Sequence, residues 1–255
     1  MYQEERMLGI LQYLREHGRI RVQDICEQFN VSRDTARRDL VKLSEQKLII
    51  RTRGGAVLPT LNQEIESYKE RLDLKGESKE RIGREAAKWI QDYDTILLDT
   101  STTVQYAAQA ITAQNIVAVT NSIDIADILS AKPGVKIHVL GGILHARDRY
   151  LYGSETTRKL QEYKVNKFLM GAGGITDEGI FFKSEEDGQV VREMIHRAEQ
   201  VIVLADHTKF GKPLFYKVCS LDQVDFLIAD RIPERWKPVL DRLEIEALET
   251  GEGRD

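Results

Sequence analysis

Cysteine is nearly absent. Cys26 and Cys219 are the only two in 255 residues, and they stand far apart in sequence. That excludes a disulfide framework, and no Cys/His cluster has the spacing of a zinc site. A reduced, cytoplasmic setting is expected, with both thiols acting as packing groups. Long apolar runs are missing too. None approaches the roughly 20 residues that a membrane helix needs. The opening Met1-Tyr2-Gln3-Glu4-Glu5 is polar and acidic, unlike a signal peptide. No Gly-Lys-Ser/Thr phosphate loop occurs, and Gly171-Ala172-Gly173-Gly174 lacks the third spaced glycine of a dinucleotide fingerprint. Neither ATP nor NAD is therefore expected, and no cofactor or metal.

What is present is a globular composition, 42% hydrophobic and 31% charged, long enough for one large domain or two ordinary ones. The net charge of -4 conceals an asymmetry. Residues 1–59 hold 11 Lys and Arg against 8 Asp and Glu, a net +3, so the remainder carries -7. A mildly basic head on an acidic body points to nucleic acid at one end only.

The head is organised around Val31 to Leu43. Ser32 is a good helix N-cap. Ala36, Leu40 and Leu43 recur at i, i+4 and i+7, one apolar face of a helix over 32–46. Asp34, Thr35, Arg38 and Lys42 fall on the opposite face, with Arg37 at its flank. Such a face fits a DNA major groove, where Arg pairs with guanine and a Thr methyl meets thymine. Alone it is equally a solvated surface helix. Its neighbours decide. Met7, Ile10, Leu11 and Leu14 predict a helix over 4–16 that Gly18 ends. Val22, Ile25, Cys26 and Phe29 predict a second over 22–29, after an extended link at Arg19-Ile20-Arg21. Two short helices, a tight turn at Asn30-Val31 and a basic helix form a helix-turn-helix. Beyond it, residues 47–59 read as two strands joined at 52–55, with Arg51 and Arg53 at the tip, a wing placed for phosphates or a minor groove.

The pattern Val31-Ser32-x-x-Thr35-x-Arg37-Arg38-Asp39-Leu40, followed by Leu48 and Arg53-Gly54-Gly55-Ala56, resembles the DeoR-type winged helix-turn-helix. Ala36 is smaller than the Ile common in that family. The resemblance implies double-stranded DNA as partner, with Ser32, Arg33, Asp34, Thr35, Arg37, Arg38, Lys42, Arg51 and Arg53 as the contacting set. Some details of the head resemble regulators of deoxysugar (rhamnose-type) operons.

Residues 60–77 are mixed and charged and read as a linker with some helix. From 78 to 240 helices and near-continuous apolar strands alternate: helices over 78–91, 102–111, 123–131, 154–163 and 186–199, and strands at 95–98, 116–120, 135–140, 167–170, 201–204 and 225–229. This is an α/β fold with a parallel sheet covered on both faces. Ligands of such sheets bind outside the carboxyl ends of the strands. Those ends read Asp99-Thr100-Ser101-Thr102-Thr103, Thr120-Asn121-Ser122, Gly141-Gly142, Gly171 to Gly174, and Asp206-His207-Thr208-Lys209. Hydroxyls and glycines beside helix N-termini make an anion site, Lys209 adds a point charge, and Asp99 and Asp206 accept bonds from sugar hydroxyls. Taken singly, Ser-Thr-Thr is a helix cap, Gly-Gly a turn and a lone lysine a solvated charge. Residues 241–255 turn acidic and read as a short helix fraying into a tail.

Leu98 to Thr103, Val119 to Ser122, Leu140-Gly141-Gly142 and Leu204 to Gly211 resemble the DeoR-type sensor domain, similar in fold to ribose-5-phosphate isomerase and glucosamine-6-phosphate deaminase. That family usually has Gly where Ser101 stands and often Glu near Asp187. The resemblance implies a Rossmann-like body of the ribose-5-phosphate isomerase type. It implies a regulator, a repressor of a sugar-catabolic operon, controlled by a phosphorylated sugar. The expected contacts are Asp99, Ser101, Thr102, Thr103, Thr120, Asn121, Ser122, Gly141, Gly142, Gly173, Gly174, Asp187, Asp206 and Lys209. A homodimer or higher homo-oligomer on repeated half-sites is expected. Two other classes stay open. An isomerase or deaminase would draw its acid and base from Asp99, Glu185, Glu186, Asp187 and His207. A nucleoid-type architectural protein fits the acidic body poorly.

Overall fold

The computed structural model describes residues 3–17, 19–46, 48–57, 68–73 and 76–251. Most of the expected linker and the last four residues lie outside them. The chain divides into two compact units, Met1–Ile65 and Glu66–Asp255.

The first unit runs α1 (Gln3–His17), β1 (Arg19–Arg21), α2 (Val22–Phe29), α3 (Arg33–Glu45), β2 (Ile50–Thr52) and β3 (Gly55–Val57). Ile10, Leu14, Ile25, Ala36, Leu40 and Leu43 bury one common core, as their helical spacing requires. Asn30 ends α2 in the left-handed region at φ 49°, and Val31 packs partly buried against the core. Ser32 caps α3, its Oγ accepting from the Thr35 N–H at 3.2 Å. The link at 19–21 is a strand: β1 pairs antiparallel with β3, giving the order β1-β3-β2. A Cβ on Gly55 would stand 2.1 Å from the Ile20 carbonyl oxygen, so only glycine permits this approach.

The second unit opens with α4 (Tyr68–Asp73), which lies within the stretch expected to be linker, and α5 (Gly76–Ala87), which matches the helix expected over 78–91. There follow β4 (Thr95–Leu98), α6 (Thr102–Ala110), β5 (Ile116–Thr120), α7 (Ile123–Ser130), β6 (Val135–Val139), β7 (Ile143–His145), β8 (Tyr150–Tyr152), α8 (Ser154–Leu160) and β9 (Val165–Gly171). Next come β10 (Gly174–Thr176), β11 (Gly179–Phe182), α9 (Glu185–Arg197), β12 (Ala198–Ala205), β13 (Tyr216–Cys219), β14 (Phe226–Ala229), α10 (Lys237–Arg242) and β15 (Glu246–Glu249). Seven strands make one sheet in the order β15-β14-β12-β9-β4-β5-β6, every neighbouring pair parallel. One face packs Leu97, Phe168, Met170 and Val203 with Val190 and Met194 of α9. The other packs Ile96, Leu98 and Leu204 with Ile82, Val104 and Ile125 of α5, α6 and α7. Cys219 is buried in the first cluster, and burial pushes its thiol up to about 12. Cys26 is half-buried, and both cysteines are free.

Two departures from the expected pattern stand out. The acidic stretch read as a tail contributes β15, which pairs in parallel with β14 from Phe226↔Glu246 to Ala229↔Glu249. Its glutamates face solvent, as suits an edge strand. Second, two small antiparallel sheets, β7-β8 and β10-β11-β13, decorate the carboxyl side of the body. Neither small sheet was anticipated, because its strands lack the continuous apolar runs by which the central strands were read.

Candidate functional site

From β4 the chain steps outward through β5 to β6. It then returns to β9 on the other side of β4 and steps away through β12 and β14. The direction reverses between β4 and β9, and the crevice beyond their carboxyl ends is where such a sheet takes a ligand. Asp99 stands at that point. Its Oδ1 accepts from the Ser101 N–H and its Oδ2 from the Gly171 N–H, each at 2.8 Å, so it fastens the ends of β4 and β9 together. Burial pushes the Asp99 carboxyl up to about 6, against the pull of these two N–H groups and Arg71. Gly171 also makes room for Ser101: a Cβ there would stand 2.2 Å from the Ser101 Oγ. The bulk that Ser101 adds is thus absorbed by the neighbouring strand.

Most of the polar residues gathered at this edge already serve the fold. Ser101 Oγ caps α6 by accepting from the Thr103 N–H at 3.1 Å, and Ser122 Oγ caps α7 by accepting from the Ile125 N–H at 3.2 Å. Thr120 Oγ1 donates to the Leu98 carbonyl at 2.9 Å. Thr102 and Thr103 are buried in the first turn of α6. Asp206 accepts from the Thr208 N–H at 2.9 Å, and Lys209 Nζ lies 4.0 Å from Asp206 Oδ2 on the turn after β12. Gly141 and Gly142 stand beyond edge strand β6, two strands from Asp99. There the Gly141 carbonyl accepts from Thr156 Oγ1 at 2.7 Å. Gly173 and Gly174 pack against the backbone of Phe181 and Lys212. The structure therefore brings Asp99, Ser101, Thr120, Asn121 and Ser122 to one place. It puts the Gly141-Gly142 pair at another and Lys209 at the flank.

Two acceptors at this edge have nothing to accept from. Asn121 is 1% exposed; its Nδ2 donates to the Leu151 carbonyl at 2.9 Å, while its Oδ1 has no hydrogen-bond partner among the described residues. It follows directly on the Leu98↔Thr120 pair of β4 and β5, so it lies beside Asp99. Asp187, in the first turn of α9, is half-buried with its Oδ1 shielded and likewise unpartnered among the described residues. Burial, then the charge of Asp99, pushes the Asp187 carboxyl up to about 7, with Arg71 pulling the other way. A buried acceptor left without a donor is costly, so such atoms mark where something else binds.

Around them stand residues that sequence reasoning did not single out. Tyr150 is buried, its ring stacked on His145 at 4.9 Å between centroids and its hydroxyl 3.5 Å from Ser184 Oγ. Tyr68 of α4 is buried and donates to Gln105 Oε1. Arg71, also on α4, donates from Nη2 to Asp148 Oδ1 at 3.0 Å. Their partners lie 37 and 77 residues away in sequence, which no local pattern reveals.

In the head, Arg33, Asp34, Arg37, Arg38, Lys42, Arg51 and Arg53 are exposed, along with Ser32, and Thr35 is half-buried. Lys42 Nζ donates to Gln3 Oε1 at 3.1 Å. The face opposite is fixed by a buried ion pair that sequence reasoning also missed. Asp39 is fully buried. Arg6 donates from Nε to Oδ2 at 2.6 Å and from Nη2 to Oδ1 at 3.2 Å, and Gln3 Nε2 adds a bond at 2.9 Å. This locks the orientation of α3 on α1, so the exposed arginines point outward as a set.

Residues 6–61 match the family model described as the DeoR-like helix-turn-helix domain, and residues 75–231 match the DeoR C terminal sensor domain. Among curated proteins, the chain is 51% identical to the HTH-type transcriptional repressor GlcR of Bacillus subtilis, with 100% of each chain covered. It is 31% identical to the glycerol-3-phosphate regulon repressor of Escherichia coli, over 91% of this chain and 93% of that one. Among solved structures, a D-ribose-5-phosphate isomerase in complex with phospho-erythronic acid aligns at 19% identity. It covers 67% of this chain and 66% of that one, with a TM-score of 0.41.

Proposed function

The chain belongs to the DeoR family and is a DNA-binding transcription regulator; on that premise we propose that it represses a sugar-catabolic operon and that a phosphorylated sugar in the β4/β9 crevice controls it. The observation that carries this reading is the pair of shielded acceptors without a partner among the described residues, Asn121 Oδ1 and Asp187 Oδ1. Both need donors, and sugar hydroxyls are donors in a fixed array. The phosphate goes to the first turn of α6, at Ser101, Thr102 and Thr103, where the helix dipole favours an anion. Lys209 supplies a point charge from the flank. On α3, Arg37 and Arg38 read bases and Arg33 and Lys42 hold phosphates, while Arg51 and Arg53 of the wing take the backbone or the minor groove. Operator half-sites spaced by whole helical turns call for a homodimer or higher homo-oligomer.

The enzyme reading finds less support. Acid–base work needs a pair of groups placed against one carbon. His207 Nδ1 sits 2.7 Å from Asp230 Oδ2, Glu185 accepts from Gln189 at 3.0 Å, and Glu186 accepts from Ser184 Oγ at 2.9 Å. Asp99 holds two backbone N–H groups. Among the described residues these groups are engaged within the fold, and Asp187 keeps a shielded oxygen without a partner, which favours binding over proton transfer.

The test is a thermal-shift panel of glucose 6-phosphate, ribose 5-phosphate, glycerol 3-phosphate and phosphorylated deoxysugars. A specific sugar phosphate at 100 times its Kd stabilises by about 2.7 kcal/mol. Asn121→Ala removes that stabilisation, and Lys209→Ala weakens it while leaving operator binding intact. No stabilisation by any member refutes the proposal, and turnover of any member restores the enzyme reading.

A further inference from the structure

We infer that Arg71 is the switch through which occupancy of the crevice reaches the chain that leads to the head; this rests on the sugar-phosphate reading above. Asn121 and Asp187 present acceptors that want donors. Arg71 presents the reverse: its Nε is shielded and has no hydrogen-bond partner among the described residues. A guanidinium N–H held that way wants an acceptor, and it borders the same cluster: its partner Asp148 lies in the turn that leads into β8, whose Leu151 carbonyl accepts from Asn121 Nδ2 and whose Tyr150 bridges to Ser122. One ligand class supplies both demands: a phosphorylated polyol, whose hydroxyls donate to Asn121 and Asp187 and whose phosphate or hydroxyl oxygen accepts from Arg71.

Arg71 sits on α4, the first described element after residue 57, so whatever moves Arg71 moves the start of the body. Its present anchor is Asp148, in the turn between β7 and β8. That turn is held on two further sides by groups of the body itself. Arg149, at a positive φ of 58°, donates from Nε to both Asp124 oxygens at 2.8 Å, and Tyr150 reaches Ser184. The turn is therefore fixed, and the Arg71–Asp148 pair is the contact by which it holds α4. Lys79 Nζ donates to the Arg71 carbonyl, and the Arg71 guanidinium lies 5.6 Å from the Tyr68 ring centroid. A phosphorylated polyol that draws the guanidinium inward competes with Asp148 for it. α4 is then held through Asp148 in the empty state and released from it in the occupied state, and such a difference is what coupling between two sites requires.

The test measures operator affinity by fluorescence anisotropy, with and without the sugar phosphate that gives the largest thermal shift in the panel, and its affinity by calorimetry, on the full chain. Arg71→Gln is expected to reduce the ratio of the two operator affinities to less than twofold at saturating sugar phosphate, from tenfold or more in the parent. Asp148→Asn is expected to tighten sugar-phosphate binding threefold or more, because the rival carboxylate charge is gone. A full ratio retained in Arg71→Gln overturns the inference. Should Arg71→Gln bind no sugar phosphate at all, Asp148→Asn decides: tighter binding supports the switch, unchanged or weaker binding overturns it. Asn121→Ala separates this from the pocket itself. If that variant binds and responds like the parent, the crevice reading fails whatever Arg71 does. A parent chain that responds to no panel member removes both.

Discussion

Asp187 holds a carboxyl oxygen out of water with no donor among the described residues, and that has a thermodynamic consequence. Its carboxyl is raised from 3.8 to about 7 by burial and by Asp99. The folded chain therefore binds this proton more tightly than the unfolded chain does. The stability that the proton confers is present at low pH and lost as pH rises from about 4 to about 7. Asp187→Asn removes the buried charge. It is expected to stabilise the ligand-free protein by about 1–3 kcal/mol at about pH 8 and by less at about pH 5. Thermal denaturation at the two pH values checks this, and the same variant should bind sugar phosphates poorly. A variant less stable than the parent at the higher pH shows that Asp187 finds a donor in the empty protein. At this scale the sequence was legible only in part. The strand ends correctly marked the edge, but a serine at a helix start looks the same whether it caps or binds. Ser101 and Ser122 cap, and Thr120 bonds across to β4. What singles out Asn121 and Asp187 is the lack of a partner, a property of the folded chain alone.

Recognition helix and wing make different contacts and should fail differently. Arg38→Ala is expected to weaken operator binding by about 1–3 kcal/mol and to relax discrimination at one base pair. Arg53→Ala is expected to weaken binding evenly across sequences and to lower the salt slope by about 1. Titrations at two or more salt concentrations against operator and scrambled DNA separate the two. If Arg38→Ala weakens both DNAs equally, it holds a phosphate. The elements themselves rest on the Arg6–Asp39 pair. Asp39→Ala takes the carboxylate away from the buried Arg6 guanidinium and is expected to cost the head about 3–5 kcal/mol, seen as an early unfolding step in urea. Replacement of both partners by apolar residues should cost less. Helical spacing made α1, α2 and α3 legible nearly to the residue. The third strand of the wing was not legible, because β1 is three residues long and is defined by its pairing with Gly55 to Val57.

Across the whole molecule, the parallel sheet and its helices followed from alternation of apolar runs. The order β15-β14-β12-β9-β4-β5-β6 did not, because strand order is set by long-range packing. Nor was α4 placed, beyond some helix within 60–77. Its residues are charged and short in pattern, and Tyr68 and Arg71 acquire meaning only against Gln105 and Asp148. The division at residues 65 and 66 leaves α4 with the body. The most direct measurement is operator affinity at one fixed salt concentration, with and without a saturating sugar phosphate, for the parent chain and for Asn121→Ala. The expected result is a change of tenfold or more in the parent and less than twofold in Asn121→Ala. An operator affinity in the parent that no sugar phosphate alters would contradict a DNA-reading head governed by the crevice behind it.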